Sequence, residues 1–354
     1  MQIEVLWHWL DKYRPLASGR DVGRKSFSVA SFLKFIVAAI TMGPALTSAA
    51  TQQNVELKIA TGILYGTLTL PENAVHKRCP VVLIIAGSGP TDRDGNNRID
   101  DHHTDSYRQL GDALAVHGIA SLRYDKRGVG ESHGALISEN QLQFDDFVDD
   151  ALGWARLLRA DTRFSNLVIV GHSEGSLIGI IASRRLPADA LVSLEGAGEP
   201  ISRVLEQQLK TQLPPDLYEQ SQSIIQSLEH GKRVDQVPAE LAMLFRPSVQ
   251  RMDISWFRID PRKEISQLSI PVLIVQGQED EQIGLTNAEQ LQKANPKAQL
   301  LILPHMGHSL IDVAPASSSN LTKSQRSSIL LDPNVISGVV TFINDLPAKQ
   351  DKKL

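Results

Sequence analysis

Short, uninterrupted apolar runs recur along the sequence, and their spacing constrains the fold more than any other feature. The first run, Val81–Ala86, is bounded by Pro80 and Gly87. Five more runs follow at residues 119–124, 167–170, 190–194, 272–275 and 300–303. Runs of this length are typical of strands buried on both faces, which occur almost only in parallel sheets.

Segments with helical periodicity lie between these runs. In the clearest one, apolar residues recur at helical spacing from Phe144 to Leu158, with Asp145 and Asp149 on the opposite side. The same periodicity predicts helices at 107–117, 176–186, 287–294 and 333–346. Strands that alternate with helices predict an α/β fold, with a mostly parallel sheet and helices on both faces. Two strands of alternating polarity, 55–59 and 63–70, predict an antiparallel hairpin before the first apolar run.

Residues 200–266 interrupt this alternation. They are rich in Gln and Glu and contain several prolines, and their apolar residues have helical spacing. We expect a helical insertion between two core strands that forms a cap over the edge of the sheet. The alternative is a structural excursion that is remote from any site.

The first 50 residues have the parts of an export signal. Basic residues, among them Arg24, Lys25 and Lys34, precede the apolar stretch Phe35–Leu46, and small residues follow it. Twelve residues of helix are too short to cross a bilayer core of about 30 Å. We therefore expect cleavage after Ala49 or Ala50, an exported (periplasmic or secreted) protein and no membrane span in the mature chain, so that the α/β domain with its cap insertion occupies 51–354. An uncleaved membrane anchor is the alternative.

Composition and the remaining motifs exclude several functional classes. A formal net charge of −4 disfavours a general nucleic-acid surface. Cys79 is the only cysteine in the sequence, so thiolates cannot build a disulfide or a metal cluster. The segment that begins at Asp92 resembles a calcium loop, but Asn97 and His103 stand where glycine and glutamate are needed. We expect neither a metal site nor a cofactor.

The pentapeptide Gly171–Gly175 has the pattern G-x-S-x-G. It directly follows the apolar run 167–170 and directly precedes the predicted helix 176–186. This is the context of a nucleophile elbow, in which small residues allow a sharp strand-to-helix turn that exposes the serine hydroxyl. Ser173 is therefore the candidate nucleophile.

A serine nucleophile needs a histidine base and a carboxylate that orients it. His308 follows the last predicted strand on a glycine-containing loop, and it is preferred to His305, which comes directly after the strand. The acid should lie between serine and histidine in the chain. Asp280, the third residue after the turn Gly277, is preferred there to its neighbours Glu279 and Glu281.

Acyl transfer also needs two N–H donors for the oxyanion. The backbone N–H of Glu174, directly after the nucleophile, is the first candidate. The second is expected in the loop after Val81–Ala86, where Ser88 is preferred and Gly87 is the alternative.

Three segments together give the chain a family resemblance, namely 86–96 (AGSGPTDRDGN), 123–132 (RYDKRGVGES) and 171–176 (GHSEGS). Across about residues 55–347 the chain resembles the α/β-hydrolase superfamily, and within it a bacterial group of exported esterase or serine-aminopeptidase-like hydrolases. The resemblance implies an α/β-hydrolase fold, a Ser173-Asp280-His308 triad and hydrolysis through an acyl-enzyme. It also implies that Asp92, Arg93 and Asp94 lie near the oxyanion loop and line the substrate pocket. One departure is Ala86-Gly87, where the group has His-Gly.

These observations favour a carboxylesterase for short to medium acyl esters, with a small ester or a short peptide as partner. A peptidase or amidase that uses the same triad is the alternative, in which Glu174 or Asp92 would bind the substrate's α-amine. A non-catalytic binding protein with the same fold is a third hypothesis, disfavoured by the intact set of candidate residues.

Overall fold

The computed structural model describes residues 50–75, 77–97, 103–136, 138–313 and 330–347. Within this part of the chain, eight strands form one sheet in the order β1-β2-β4-β3-β5-β6-β7-β8. Their bounds are β1 Thr51–Ile59, β2 Gly62–Leu70, β3 Cys79–Ile85, β4 Ala120–Tyr124, β5 Phe164–His172, β6 Ala190–Leu194, β7 Val272–Gly277 and β8 Gln299–Leu303.

The sheet is antiparallel only at one edge. β1 pairs with β2, and β2 with β4, in antiparallel register, whereas every pair from β4 to β8 is parallel. The chain runs from β3 to β4 on one side and then returns to β5 on the other side of β3. The strand order therefore reverses between β3 and β5, and in open α/β sheets ligands bind in the crevice at such a point.

The α-helices of the described residues are α1 Ser106–Val116, α2 Phe144–Ala160, α3 Glu174–Arg185, α4 Ile201–Gln212, α5 Pro215–Glu229, α6 Ala242–Phe245, α7 Gln250–Phe257, α8 Pro261–Ile265, α9 Leu285–Ala294 and α10 Pro333–Asn344. Short 3₁₀ turns occur at Glu72–Val75, Gly130–Ala135, Glu139–Gln141 and Ala239–Leu241.

Alternate residues of the central strands point to opposite faces of the sheet. In β3, Val82 and Ile84 belong to the core that α1 and α10 cover. Val81, Leu83 and Ile85 belong to the other core, which α2, α3 and the cap helices share. The side chains of β3 are buried on both faces, which explains why this strand reads as an uninterrupted apolar run.

The insertion 200–266 is helical, as its periodicity predicts, and contains α4 to α8. Its α7 packs on the beginning of α2: the rings of Trp256 and Phe144 stack with centroids 5.5 Å apart, and the Phe144 N–H donates to Ser255 Oγ at 2.8 Å. At its other end, Gln208 Nε2 on α4 donates to the backbone oxygen of Gln282, near the carboxyl end of β7. The cap insertion is thereby attached to the sheet edge at which the candidate residues lie.

The predicted hairpin, the core strands and their crossover helices are all present, with ends that differ by a few residues from the predicted ones. Asp332 caps α10 by accepting from the Asn334 N–H, and Pro333 is the first helical residue. The predicted leader, apart from Ala50, lies outside the described residues. In the part of the chain that is described, none of the helices combines the length and apolarity needed to span a bilayer.

Candidate active site

Ser173 lies on a tight turn between the carboxyl end of β5 and the beginning of α3. Its φ of 53° is in the left-handed region, which a residue other than glycine adopts only when its surroundings impose it. The flanking glycines explain how the turn fits. A Cβ on Gly171 would lie 2.1 Å from the Gly175 oxygen, and a Cβ on Gly175 would lie 2.3 Å from the Ile85 oxygen. The turn therefore has the form of a nucleophile elbow, and it is pressed against the end of β3.

His308 and Asp280 meet at the same edge of the sheet. The His308 Nδ1–H donates to Asp280 Oδ2 at 2.7 Å, and both side chains are buried. Asp280 Oδ1 accepts from the backbone N–H groups of Gln282 and Ile283, each at 2.8 Å. The neighbouring acids Glu279 and Glu281 are exposed, as is the alternative base His305. The structure thus brings together the acid and base that the sequence favours.

Asp280 is held in its ionised form, although it is buried. Burial opposes ionisation, but the charge of His308 and its hydrogen bond, together with further hydrogen bonds, lower the pKa of Asp280 to about 2. The ionised carboxylate can only accept hydrogen bonds, so His308 keeps a proton on Nδ1, and in its neutral form it presents the lone pair of Nε2. This is the tautomer that a general base for serine requires.

His172, which precedes the candidate nucleophile, connects the elbow to two other parts of the site. Its Nε2 donates to the backbone oxygen of His308 at 2.7 Å, because a carbonyl can only accept. Its Nδ1 is then an acceptor, and Tyr107 Oη donates to it at 2.6 Å. Burial and the charge of His308 lower the pKa of His172 to about 3, so it remains neutral. His172 acts as a fixed connection and not as a second base.

The two predicted oxyanion donors of the β3 loop differ in what they bind. The Gly87 N–H donates to Tyr107 Oη at 3.1 Å, so it is already used inside the protein. The Ser88 N–H makes no hydrogen bond to any described residue. Glu174 begins α3, where the first N–H groups of a helix have no intrahelical acceptor. Ser88 and Glu174 therefore remain the candidate donor pair.

A buried lysine attaches the oxyanion loop to the elbow. Lys126 Nζ lies 3.0 Å from Glu174 Oε2 and also contacts the Gly87 backbone oxygen. Its ammonium is 5.2 Å from the centre of the Phe147 ring. The ion pair neutralises the Glu174 carboxylate and holds the loop after β3 against the beginning of α3.

The structure does not bring Asp92, Arg93 and Asp94 into the cleft beside Ser173. Asp92 Oδ1 accepts from the backbone N–H groups of Asp94 and Asn96, which closes a local turn. Arg93 pairs with Asp125 at 2.8 Å. Asp94 accepts from Arg123 Nε at 2.8 Å. The segment thus fastens the loop after β3 to β4 and its following loop.

A narrow cleft opens at Ser173 between the sheet edge and the cap insertion. Its lining is mostly apolar and is formed by Ser173, Glu174, Leu177, Ala197, Glu199, Ile201, Trp256, Pro261 and Ile283. Ile201, Trp256 and Pro261 come from the cap insertion. These residues place the cap insertion against the cleft beside the candidate nucleophile.

Comparison with known proteins identifies the family. A family model described as serine aminopeptidase, S33, matches residues 101–312, more than half of the chain. The chain belongs to this S33 family. The match ends four residues after His308 and contains the whole predicted triad. The S33 family has the α/β-hydrolase fold that the sheet order and helices show.

Similar proteins include several esterases. Esterase EstD from Thermotoga maritima is 26% identical over 263 residues, which are 72% of this chain and 60% of that protein. The chain thus matches about three fifths of the length of this curated relative. The structure of Est1E from Butyrivibrio proteoclasticus with ferulic acid bound has a TM-score of 0.56 and 17% identity, covering 82% of this chain and 98% of that chain. An esterase from Pyrococcus furiosus has a TM-score of 0.53 and 15% identity, with coverages of 84% and 91%. These structures support the fold.

Sequence reasoning missed the residues that connect the site internally. Tyr107 and Lys126 contact the oxyanion loop, and Glu195 and Gln276 lie behind Asp280. Lys126 lies inside the segment 123–132 that carries the resemblance and is the second residue after the buried strand β4, which is a signal that it belongs to the site. Glu195 directly follows β6 at the same sheet edge, the position from which site residues of such folds come.

Proposed function

We propose that the protein is a serine carboxylesterase that hydrolyses short to medium acyl esters. The observation that carries this proposal is the hydrogen bond of 2.7 Å between His308 Nδ1 and Asp280 Oδ2, at the sheet edge where the elbow presents Ser173. The narrow, mostly apolar cleft at Ser173 supports a small acyl substrate.

In this mechanism Ser173 Oγ bonds to the carbonyl carbon of the ester while His308 Nε2 takes the hydroxyl proton. The N–H groups of Glu174 and Ser88 donate to the oxyanion that forms. His308 then gives its proton to the leaving alcohol as the ester C–O bond breaks, which leaves an acyl group on Ser173. A water molecule attacks this acyl-enzyme with His308 as its base, the acid is released, and the proton returns to Ser173.

The arrangement of acids makes an aminopeptidase the weaker proposal. Such an enzyme would need a free carboxylate for the α-amine of its substrate. Glu174 is neutralised by Lys126, and Asp92 is used within its own turn. Glu199 also lines the cleft, but each of its carboxylate oxygens already accepts a hydrogen bond from a side-chain amide, of Gln207 or of Gln290.

A substrate panel on the purified protein separates these functions. We expect 4-nitrophenyl acetate and butyrate to be hydrolysed faster than aminoacyl 4-nitroanilides, and Ser173→Ala to abolish both activities. Glu199→Gln should leave the ratio of ester to anilide turnover within about threefold. Faster turnover of the anilides, lost in Glu199→Gln, would establish the aminopeptidase instead.

We also propose that the protein is exported with removal of its leader. The basic, apolar and small-residue regions within 1–50 support this proposal. In a bacterial host, amino-terminal sequencing of the periplasmic protein should give Ala50 or Thr51 as the first residue. Recovery from the membrane fraction with residues 1–49 intact would support an uncleaved anchor.

A further inference from the structure

A second buried carboxyl group lies behind the predicted triad. Glu195 directly follows β6 and its side chain is fully buried, with 0% exposure. Its φ of 49° is in the left-handed region, and its N–H donates to the Val275 oxygen of β7 at 3.0 Å. A residue other than glycine in this conformation is held there by its contacts, and such residues cluster at functional sites.

The contacts of Glu195 lead directly to the triad. Its Oε1 accepts from the Gly277 N–H at 2.8 Å, and its Oε2 contacts Gln276 Nε2. One oxygen of Glu195, one oxygen of Asp280 and one ring nitrogen of His308 all lie within 4.8 Å of one another. The two carboxyl groups are therefore neighbours in one buried cluster, and a side-chain hydrogen bond joins them.

Two buried carboxylates at this distance beside one imidazole do not both ionise. Asp280 is the better anion, because His308 and two backbone N–H groups donate to it. Glu195 meets only amide donors. Burial, the charge of Asp280 and a hydrogen bond to Asp280 raise the pKa of Glu195 well above its usual range.

We propose that Glu195 is a positioning residue that remains a neutral carboxylic acid and donates its proton as a hydrogen bond to Asp280. The bond steadies the Asp280 carboxylate and moderates its basicity without adding a second negative charge beside His308. The basicity of His308 is thus set by one carboxylate, that of Asp280. The proposal rests on the serine-hydrolase function proposed above.

The other titratable groups around this cluster do not change the charge beside His308. His308 packs against the ring of His172, with centroids 4.9 Å apart, and His172 is neutral. Farther out, Lys126 and Glu174 are paired with each other. Besides Asp280 itself, Glu195 is therefore the group of the cluster whose protonation would change the charge that His308 experiences.

Three variants test the proposal through the pH dependence of kcat/KM, whose acidic limb reports the pKa of the free base. Glu195→Gln keeps a neutral donor, so kcat/KM should stay within about threefold and the acidic limb should not move. Glu195→Met removes the donor, so kcat/KM should fall about 10- to 100-fold. Its limb should move up by about half to one pH unit, because a more basic Asp280 stabilises the imidazolium. Glu279→Gln, which neutralises an exposed acid next to Asp280, should match the wild type.

An acidic limb that moves down by one unit or more in Glu195→Gln would show that Glu195 is ionised, and would overturn the proposal. Equal loss of activity in Glu195→Gln and Glu195→Met would also overturn it, since the neutral donor would then not suffice. Thermal unfolding of both variants shows whether each is folded. Failure of the hydrolase function itself is distinguishable, because the wild type would then show no Ser173-dependent activity in which a limb could be measured.

Discussion

Replacing Asp280 with asparagine tests the geometry of the site most severely. Two backbone N–H groups point at Oδ1, at 2.8 Å each, and His308 Nδ1–H points at Oδ2. The amide oxygen of asparagine would stay with the two backbone donors, so its NH₂ group would face His308. His308 would then have to present the lone pair of Nδ1 and carry its proton on Nε2.

In that tautomer Nε2 cannot accept the proton of Ser173. Loss of the correct tautomer in a serine triad costs roughly 10⁴-fold in kcat, which equals about 5 kcal/mol in the activation barrier. Asp280 is not among the residues that line the cleft, so KM should change by only about threefold. The loss should therefore appear almost entirely in kcat.

The assay is steady-state hydrolysis of 4-nitrophenyl acetate by the wild type, Asp280→Asn and Glu279→Gln. Glu279→Gln is the matched control, because it makes the same chemical change at the adjacent, exposed acid. A kcat of Asp280→Asn within about tenfold of the wild type would refute the assignment of Asp280. So would an equal loss in Glu279→Gln.

Three further predictions concern the elbow, the cleft and the buried acid. Gly175→Ala should lower the free energy of unfolding by about 1–3 kcal/mol or more in urea titrations, because its Cβ would lie 2.3 Å from the Ile85 oxygen. Gly134→Ala is the control, because a Cβ there would have no atom within 4 Å. Equal stability of the two variants would contradict the close packing at the elbow. Ala197→Leu should fill the cleft and raise the acetyl-to-hexanoyl ester rate ratio about tenfold, whereas an unchanged ratio would place the acyl group elsewhere. Native Glu195 keeps a proton that the unfolded chain loses above pH 4.5. The free energy of unfolding of the wild type should therefore fall relative to that of Glu195→Gln as pH rises from about 5 to 7, by at most about 1.4 kcal/mol per pH unit. A difference between the two proteins that stays constant with pH would contradict a neutral Glu195.

The fold could be predicted because its signals are local. Apolar runs such as Val81–Ala86 are buried on both faces of the sheet, and the periodicity of 144–158 marks the stripe by which α2 packs. The glycines at 171 and 175 mark a turn so crowded that a Cβ at either position would overlap a backbone oxygen. Chain order then selected Asp280 and His308, which the structure joins by a hydrogen bond.

The remaining contacts depend on pairings between distant segments, which no local pattern encodes. Lys126 reaches Glu174 across 48 positions, and Glu195 reaches Gly277 across 82. For the same reason no local pattern reveals that Arg93 pairs with Asp125 on the loop after β4. The resemblance predicts that this segment lies near the site, and the tertiary pairing shows which groups its charges bind.

Covalent labelling tests the central claim most directly, because it reports the nucleophile itself. The purified protein would be treated with a fluorophosphonate and digested, and the modified residue identified by mass spectrometry. We predict a single adduct on Ser173 that is absent in Ser173→Ala and forms far more slowly in His308→Asn. An adduct on another residue, or none on the folded wild-type protein, would contradict the proposal that Ser173 is an activated nucleophile.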